Sequence, residues 1–356
     1  MGSKSRAPGP LFYDISHPVQ ALMLRPVIEQ LRERGHTPRV FARDKDVTLG
    51  LLDRFGIQAT TLSARRRGRL GALVELFARE ARLLRLALAE RPEAIIGTSV
   101  HAARVSRLSG AVSIIINDDD ADAVPLFARL AYPLADVIVK PGCLTFENHP
   151  RQLTYRGNQQ LFYLHPARFR PDPEIRRELA LGPTQKFGVV RLSALDAHHD
   201  VGVRGLTPFH LQELSHRLPK DMVVFASLEK PQSLPAGWRP IDLPPERVHH
   251  VLAAAEFFLG DGQTMTAEAA VLGTPAFRLN DFVGRISYLK ELEGYGLAFG
   301  FRPGDEAALL DHLTGMLNEP SPRGRLLEAR GRFLSDMVDP LPWFIDLVLS
   351  RLRSHA

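Results

Sequence analysis

The stretch GDGQTMTAEAAVLGTP, residues 260–275, decides the fold. It continues an apolar segment, FFLG, that predicts a buried strand, and two glycines separate this strand from a helical run over 267–272. Gly273 and Pro275 mark the end of the helix. A short buried strand that turns through glycines into a helix is the repeating unit of α/β domains, so the stretch predicts such a domain.

The start of this helix is also a candidate binding site. The first turn of a helix has backbone N–H groups without internal partners, and it carries the positive end of the helix dipole. Glycines there let a ligand come close, so we expect a phosphate group. Glu268, one turn further on, is within reach of sugar hydroxyls. The alternative interpretation is an ordinary strand–turn–helix with Glu268 on the surface.

The same alternation of strands and helices runs along the chain. Strand-like segments are LFYDI (11–15), PRVFA (38–42), AIIG (94–97), VSIII (112–116), DVIVK (136–140), FGVVRLS (187–193), MVVFASL (222–228), FFLG (257–260) and PAFRL (275–279). We predict two Rossmann-like, doubly wound α/β domains that face a cleft between the carboxyl ends of their strands. The predicted parts are a disordered or vector-derived tail (1–10), a first Rossmann-like domain (11–165), a second Rossmann-like domain (166–335) and a C-terminal helix crossing between domains (336–356).

Composition narrows the class of protein. The 356 residues are 45% hydrophobic and 24% charged, which is typical of globular domains. A single cysteine, Cys143, excludes a disulfide framework and a cysteine-based zinc site. Since no run of 18 apolar residues occurs, we expect no membrane span and a cytoplasmic location, with the inner face of the membrane as an alternative.

The positive charge is concentrated in the first half. Residues 1–165 hold 23 Lys and Arg against 16 Asp and Glu, whereas the whole chain has a net charge of +5. Within that half, RRRGRLGALVELFAREARLLRLALAERP (65–92) places leucines at helical spacing among arginines. Such a helix, over 65–91, can lie on an anionic membrane surface. It can equally be a crossover helix with a solvated arginine face.

Several motifs together resemble a known superfamily. They are DISHPVQALMLRPVIEQLRERGH (14–36), YLHPARFRPDPEI (163–175), VVRLSALDAHHDVG (189–202), the stretch at 260–275, and DFVGRISYLKELE (281–293). The chain resembles the glycosyltransferase-B (GT-B) superfamily. More closely, it is similar to a prokaryotic family catalogued as a domain of unknown function. That family is related to the non-hydrolysing UDP-N-acetylglucosamine 2-epimerases and the peptidoglycan N-acetylglucosaminyltransferase.

The resemblance implies a donor site in the second domain. In the superfamily the corresponding helix binds the nucleotide sugar, here at Gly262, Gln263, Thr264, Met265 and Glu268. The N–H groups of 263–265 would face the diphosphate, and Glu268 would bind the ribose. The resemblance also implies Ser227 in the donor pocket, His249 near the nucleotide base, and Arg285 as a second charge or a plain surface residue. A UDP-sugar is the expected co-substrate, without a further cofactor.

The run VRLSALDAHHD (190–200) crowds titratable residues at the end of a predicted strand. Arg191, Ser193 and His198 are therefore candidates for positioning the donor. Histidines and carboxylates are also suitable metal ligands. We expect no metal, because adjacent histidines rarely hold one ion and the superfamily generally works without metal.

In the first domain, the superfamily places the acceptor and the catalytic base. His17 in DISHP is the candidate general base, since histidine titrates near neutral pH; the alternative is that it caps the following helix. Relatives carry a second histidine where this chain has Gln20, and another where it has Ala121. Asp118 and Asp120 are therefore further catalytic candidates, together with Asp119 between them.

The leading functional prediction is sugar transfer from a nucleotide diphosphate sugar to a surface-glycan or lipid-linked acceptor. A sugar-nucleotide 2-epimerase is the second hypothesis, although Gln20 and Ala121 reduce the acid–base groups it needs. A binding protein without turnover is the third. We expect no nucleic-acid partner, because no recognition helix or aromatic–basic interleaving is found.

Overall fold

The computed structural model describes residues 9–44, 47–64, 69–144, 149–192, 205–229, 233–319 and 322–355. The chain divides into two compact units. The first comprises Met1–Tyr163 and Val338–Ala356, and the second comprises Leu164–Met337.

The first unit is built on a parallel sheet. Its strands, in the order β3-β2-β1-β4-β5-β6-β7, are β1 (Leu11–Ile15), β2 (Pro38–Asp44), β3 (Ala59–Ala64), β4 (Ala94–Gly97), β5 (Val112–Ile116), β6 (Val137–Pro141) and β7 (Gln152–Tyr155). The central strands β1, β4, β5 and β6 are buried throughout, which is why they read as continuous apolar runs in the sequence.

Helices cover both faces of this sheet. They are α1 (Pro18–Glu33), α2 (Thr48–Arg54), α3 (Arg69–Glu90), α4 (Val100–Ser109), α5 (Pro125–Ala131), α6 (Leu161–Leu164) and, from the end of the chain, α14 (Pro340–His355). One core contains residues of α1, α2 and α14, and the other contains residues of α3, α4 and α5. The last helix therefore belongs to the first unit, where Phe344 packs edge-on against Phe162.

The second unit repeats the architecture. Its strands, in the order β10-β9-β8-β11-β12-β13, are all parallel: β8 (Phe187–Leu192), β9 (Val223–Leu228), β10 (Arg239–Pro240), β11 (Phe258–Gly260), β12 (Ala276–Leu279) and β13 (Ala298–Phe301). Its helices are α7 (Ile175–Glu178), α8 (Pro208–Arg217), α9 (Val248–Ala254), α10 (Gln263–Leu272), α11 (Ser287–Gly294), α12 (Glu306–Leu317) and α13 (Pro322–Asp336).

Two parallel, doubly wound sheets confirm the predicted fold class. Four strands were missed, and each is an edge strand of its sheet: β3 and β7 in the first sheet, and β10 and β13 in the second. β3 lies at an edge of the first sheet and is partly exposed, so it lacks the apolar run of a central strand. β7 is also an edge strand, with only Tyr155 fully buried, and it falls in the proline-rich segment 141–185 that reads as irregular.

The helix of residues 260–275 begins earlier than predicted, at Gln263 rather than Ala267. The Thr266 hydroxyl donates to the Gly262 carbonyl, 2.6 Å away, which satisfies a side chain that otherwise favours turns over helix. At the other end Gly273 adopts φ +84°, a conformation that side chains with a Cβ rarely enter.

Candidate functional site

The carboxyl edge of the second sheet brings several of the predicted donor residues together. The strand register places Arg191 of β8 beside Ser227 of β9 on one side and beside Gly260 of β11 on the other. Neighbouring strands lie about 4.8 Å apart, so the three positions form one row. The Arg191 guanidinium donates through Nη1 to the Ser227 hydroxyl at 2.6 Å and through Nη2 to Glu229. Glu229 was not predicted.

The N-terminal turn of α10 lies directly beyond this row. Gly262 is the N-cap residue, and no side chain among the described residues caps the helix. Gln263, Thr264 and Met265 are partly exposed, whereas the helix is buried from Thr266 onward. The first turn contains no acidic residue. Its backbone N–H groups and the helix dipole therefore favour an anion, by about 0.3–1 kcal/mol from the dipole alone.

Glu268 and His249 form a buried pair behind this turn. The Glu268 Oε1 atom of α10 lies 3.2 Å from His249 Nε2 of α9, and the two side chains are only 4% and 6% exposed. The Phe169 ring packs edge-on to the imidazole, with centroids 6.1 Å apart. Glu268 is therefore not an ordinary surface residue at a helix start. The sequence suggested separate roles for the two residues, and their direct contact was not predicted.

The other predicted donor residues differ in placement. Arg285 lies in the exposed turn that follows β12, and its guanidinium carbon is 5.9 Å from the centre of the Phe282 ring. It is on the same edge of the sheet, but it is not part of the buried pair. Ser193 and His198 lie outside the described residues.

In the first unit, His17 occupies the turn between β1 and α1. It is the N-cap residue of α1, and its ring Nδ1 accepts a long hydrogen bond, 3.4 Å, from the Val19 amide. In a neutral imidazole that accepts at Nδ1, the proton is on Nε2. Capping and proton acceptance by the same neutral ring therefore compete. The Gln20 side-chain oxygen accepts a hydrogen bond from the Ser16 amide at 2.6 Å.

A buried ion pair supports this turn and was not predicted. Asp14, at the end of β1, is fully buried and accepts hydrogen bonds from the Arg79 guanidinium of α3 and the Ser99 hydroxyl. Gly97 on the neighbouring strand leaves the necessary room, since a Cβ there would lie 3.1 Å from the Asp14 Cβ. Arg79 also donates toward the Ile15 carbonyl. The chain that leads into His17 is thus held from the side of α3.

The predicted aspartates lie in the loop after β5. Asp118 accepts from the Gln159 side-chain amide, and burial together with nearby Asp119 raises the pKa of Asp118 well above its usual range. Asp120 is only 1% exposed, and it faces the buried Lys140 at the end of β6. Burial lowers the pKa of Lys140 to about 8, although Asp120 favours its charged form.

Sequence reasoning missed Lys140 and Gln159. The signal for Lys140 was available, because a lysine that ends the apolar strand DVIVK lies at the edge where ligands bind in α/β sheets. Nothing in the local pattern around Gln159 pointed to Asp118, which lies 41 positions earlier in the chain.

Within the described ranges, no group of three or more histidine, cysteine, aspartate or glutamate side chains is placed to hold a metal ion. No helix in the same ranges is long and apolar enough to cross a membrane.

A family description, "Protein of unknown function (DUF354)", matches residues 11–281. No curated protein matches the chain. Among solved structures, the chain is similar to a UDP-N-acetylglucosamine 2-epimerase from Neisseria meningitidis bound to UDP-N-acetylglucosamine, with 13% identity, a TM-score of 0.65, and 97% of this chain and 100% of the other covered. A spinosyn forosaminyltransferase has 15% identity and a TM-score of 0.66, with 96% and 100% covered.

A spinosyn rhamnosyltransferase complexed with thymidine diphosphate gives 15% identity and a TM-score of 0.65, with 94% of this chain and 99% of the other covered. Identities this low show the fold alone. The fold is that of the GT-B glycosyltransferases and the 2-epimerases, which confirms the resemblance seen in the sequence motifs.

Proposed function

We propose that this chain, which belongs to the DUF354 family, is a glycosyltransferase. It would move a sugar from a nucleoside diphosphate sugar, with a UDP-sugar as donor, to a glycan or lipid-linked acceptor. The observation that carries the proposal is made at the carboxyl edge of the second sheet. There, the start of α10, which has no side-chain cap among the described residues, lies beside the buried Glu268–His249 pair and the Arg191–Ser227 row. Solved structures of the same fold hold UDP-N-acetylglucosamine and thymidine diphosphate.

Each part of this edge suits one part of the donor. The N–H groups of 263–265 and the Arg191 guanidinium bind the diphosphate, since both favour negative charge. The Glu268 carboxylate accepts hydrogen bonds from the ribose hydroxyls, while His249 holds its other face. Arg285 contributes charge from the exposed turn. Ser193 and His198 lie outside the described residues, and their part in donor binding stays a prediction from the sequence. The donor needs no metal ion or further cofactor in this proposal.

The first unit supplies the acid–base groups. In the transfer, an acceptor hydroxyl gives its proton to a base, its oxygen bonds to the anomeric carbon, and the bond from that carbon to the diphosphate breaks. His17 and Asp118 are the candidate bases, and the buried Asp120 acts through Lys140. The raised pKa of Asp118 brings a carboxyl group toward the pH at which it can exchange protons.

Epimerisation at C2 of the sugar is the second candidate function, and one observation favours it. Asp118 has a raised pKa and Lys140 a lowered one, and both lie at the carboxyl edge of the first sheet. Both shifts bring the pKa of the group nearer to neutral pH, where a group that removes a proton and returns it works best. A protein that binds the nucleotide sugar without turnover would use only the carboxyl edge of the second sheet.

A ligand screen followed by product analysis tests the proposal. Calorimetric titration with UDP, GDP, CDP and ADP should give one nucleotide that binds, and Glu268→Gln should weaken that binding. Incubation with UDP-N-acetylglucosamine, followed by proton NMR, then separates the functions. Release of UDP only when an acceptor is added supports transfer, whereas a new UDP-sugar without acceptor supports epimerisation. Failure of every nucleotide to bind would contradict the donor site.

A further inference from the structure

Exposed hydrophobic residues are concentrated on one helical layer of the first unit. Among the described residues, eleven large hydrophobic side chains are exposed, and seven of them belong to α3, α4 and α5. These seven are Val74, Leu76, Phe77, Leu88, Leu108, Leu126 and Leu130. The helices α1, α2 and α14, on the opposite face of the same sheet, contribute none of the eleven. The exposed hydrophobic residues of the helices in the first unit therefore lie on one face of its sheet.

The three helices form a continuous layer. α3 packs against α4, and α4 packs against α5. Their inward residues, such as Leu83, Ala103 and Ala131, are fully buried in one core. On α3 the exposed positions 74, 77, 81, 85 and 88 recur every three or four residues, so they share one side of the helix. We call the exposed side chains of α3, α4 and α5 the α3–α5 surface.

The exposed charges on the α3–α5 surface are all positive. They are carried by Arg82, Arg85, Arg104, Arg107 and Arg129. Two carboxylates of α3 pair with arginines outside this surface, Glu75 with Arg43 and Glu90 with Arg39. The third, Glu80, pairs with His101 and with Arg104, so Arg104 is the one arginine of the five that has a carboxylate of α3 as partner among the described ion pairs. Neither α4 nor α5 contains an acidic residue.

We propose that the α3–α5 surface binds an anionic lipid bilayer. Arginine guanidinium groups form paired hydrogen bonds with phosphate oxygens, and leucine and phenylalanine side chains between them can enter the boundary between headgroups and acyl chains. A second copy of the chain fits less well, because a two-fold symmetric contact would bring the arginines of the two copies against each other, and like charges that face each other across an interface are unfavourable. The sequence suggested such a surface only for residues 65–91, and α4 and α5 extend it across the unit.

This inference goes beyond the proposed transfer reaction and does not depend on it. None of its residues belongs to the donor site, so either proposal can fail while the other stands. It predicts binding to negatively charged membranes that weakens as salt screens the arginines. Nothing in it requires a nucleotide.

Sedimentation with vesicles tests the inference. The full chain should sediment with vesicles of phosphatidylcholine containing about one third phosphatidylglycerol, and it should stay in solution with phosphatidylcholine alone. Replacing Arg85 and Arg107 by Gln should weaken the partition about 30-fold, at about 1 kcal/mol for each charge lost. The matched control replaces Arg32 and Arg351, which are exposed on the opposite helical layer, and should bind as the wild type does.

The apolar contribution has its own matched pair. Phe77→Ser with Leu126→Ser removes side chains that are 62% and 70% exposed, and should weaken binding about tenfold. Phe209→Ser removes a side chain equally exposed, at 70%, on α8 of the second unit, and should change nothing.

Three results would overturn the inference. One is equal sedimentation with both kinds of vesicle, and another is equal loss in test and control variants. The third is a wild-type dimer in solution that the Phe77 and Leu126 substitutions convert to monomer, because the surface would then bind a second copy of the chain. Calorimetry of each variant with UDP keeps the two proposals distinguishable. A variant that no longer binds vesicles but still binds UDP has lost only the lipid-binding surface. Glu268→Gln should sediment with vesicles as the wild type does.

Discussion

Replacing Glu268 by glutamine is the sharpest test of the donor site. Glutamine has nearly the same shape and can still contact His249 Nε2, which lies 3.2 Å from the carboxylate. It removes the negative charge. A hydrogen bond to a charged group contributes about 1.5–3 kcal/mol, against about 0.5–1.5 kcal/mol for a neutral one. Two ribose hydroxyls bound to Glu268 would therefore lose about 2–3 kcal/mol together, and Kd should rise about 30- to 150-fold.

Isothermal titration calorimetry with UDP measures that change, and a thermal melt of the same samples reports the fold. Glu256→Gln is the matched control, since Glu256 is a partly buried carboxylate two residues before β11, at the opposite edge of the sheet. Glu268→Ala should additionally destabilise the unit, by about 1–3 kcal/mol, because it removes the group that faces a buried imidazole. A normally folded Glu268→Gln variant that binds UDP within twofold of the wild type would refute the reasoning.

Three further substitutions test His17 as a base, Arg191 as a donor-binding residue and Lys140 as a buried titratable group. His17→Asn keeps a good N-cap but removes the titratable ring, so turnover should fall at least 100-fold at an unchanged Tm; retained turnover would leave only the capping role. Arg191→Lys should raise the Kd for UDP about tenfold, since the single ammonium of lysine does not reproduce the separated donors of the planar guanidinium; an unchanged Kd, measured by calorimetry, would remove Arg191 from the site. Between the native pKa of Lys140, about 8, and its ordinary value of 10.5, only the unfolded chain keeps that proton, so this lysine makes stability rise with pH across the interval. The free energy of unfolding, measured with urea at a series of pH values, should rise less with pH in Lys140→Met than in the wild type. The same pH dependence in the two proteins would contradict this prediction.

The sequence allowed the fold to be predicted wherever a strand is buried on both faces. LFYDI coincides with β1, and AIIG and VSIII coincide with β4 and β5, because strands buried on both faces carry apolar residues at nearly every position. The edge strands β3 and β7 are exposed on part of their surface, so their sequences carry no comparable pattern. Local hydrophobicity therefore reports burial, and only indirectly reports pairing.

The candidate site was predictable where it depends on one local segment. The start of α10 could be identified because its glycines and its flanking strand are contiguous in the chain. The partners of the predicted residues could not be identified in this way. Glu268 meets His249, Asp118 meets Gln159, and Asp14 meets Arg79 only after residues distant in the chain are brought together. Such pairs leave no local pattern in a single sequence.

The pairing of Arg79 with Asp14 has a consequence for insertions and deletions in α3. Inserting one residue between Phe77 and Arg79 would rotate the earlier part of the helix by about 100° relative to the anchored part. Glu75 would then turn away from Arg43 while Arg79 still held Asp14. An insertion of seven residues, close to two full turns, would restore the original facing, although it would also move Glu75 about 10 Å along the helix axis. Among insertions at this place, those of about seven residues should therefore keep the apolar side of α3 against the sheet, whereas an insertion of one or two residues should turn that side of the earlier part toward solvent.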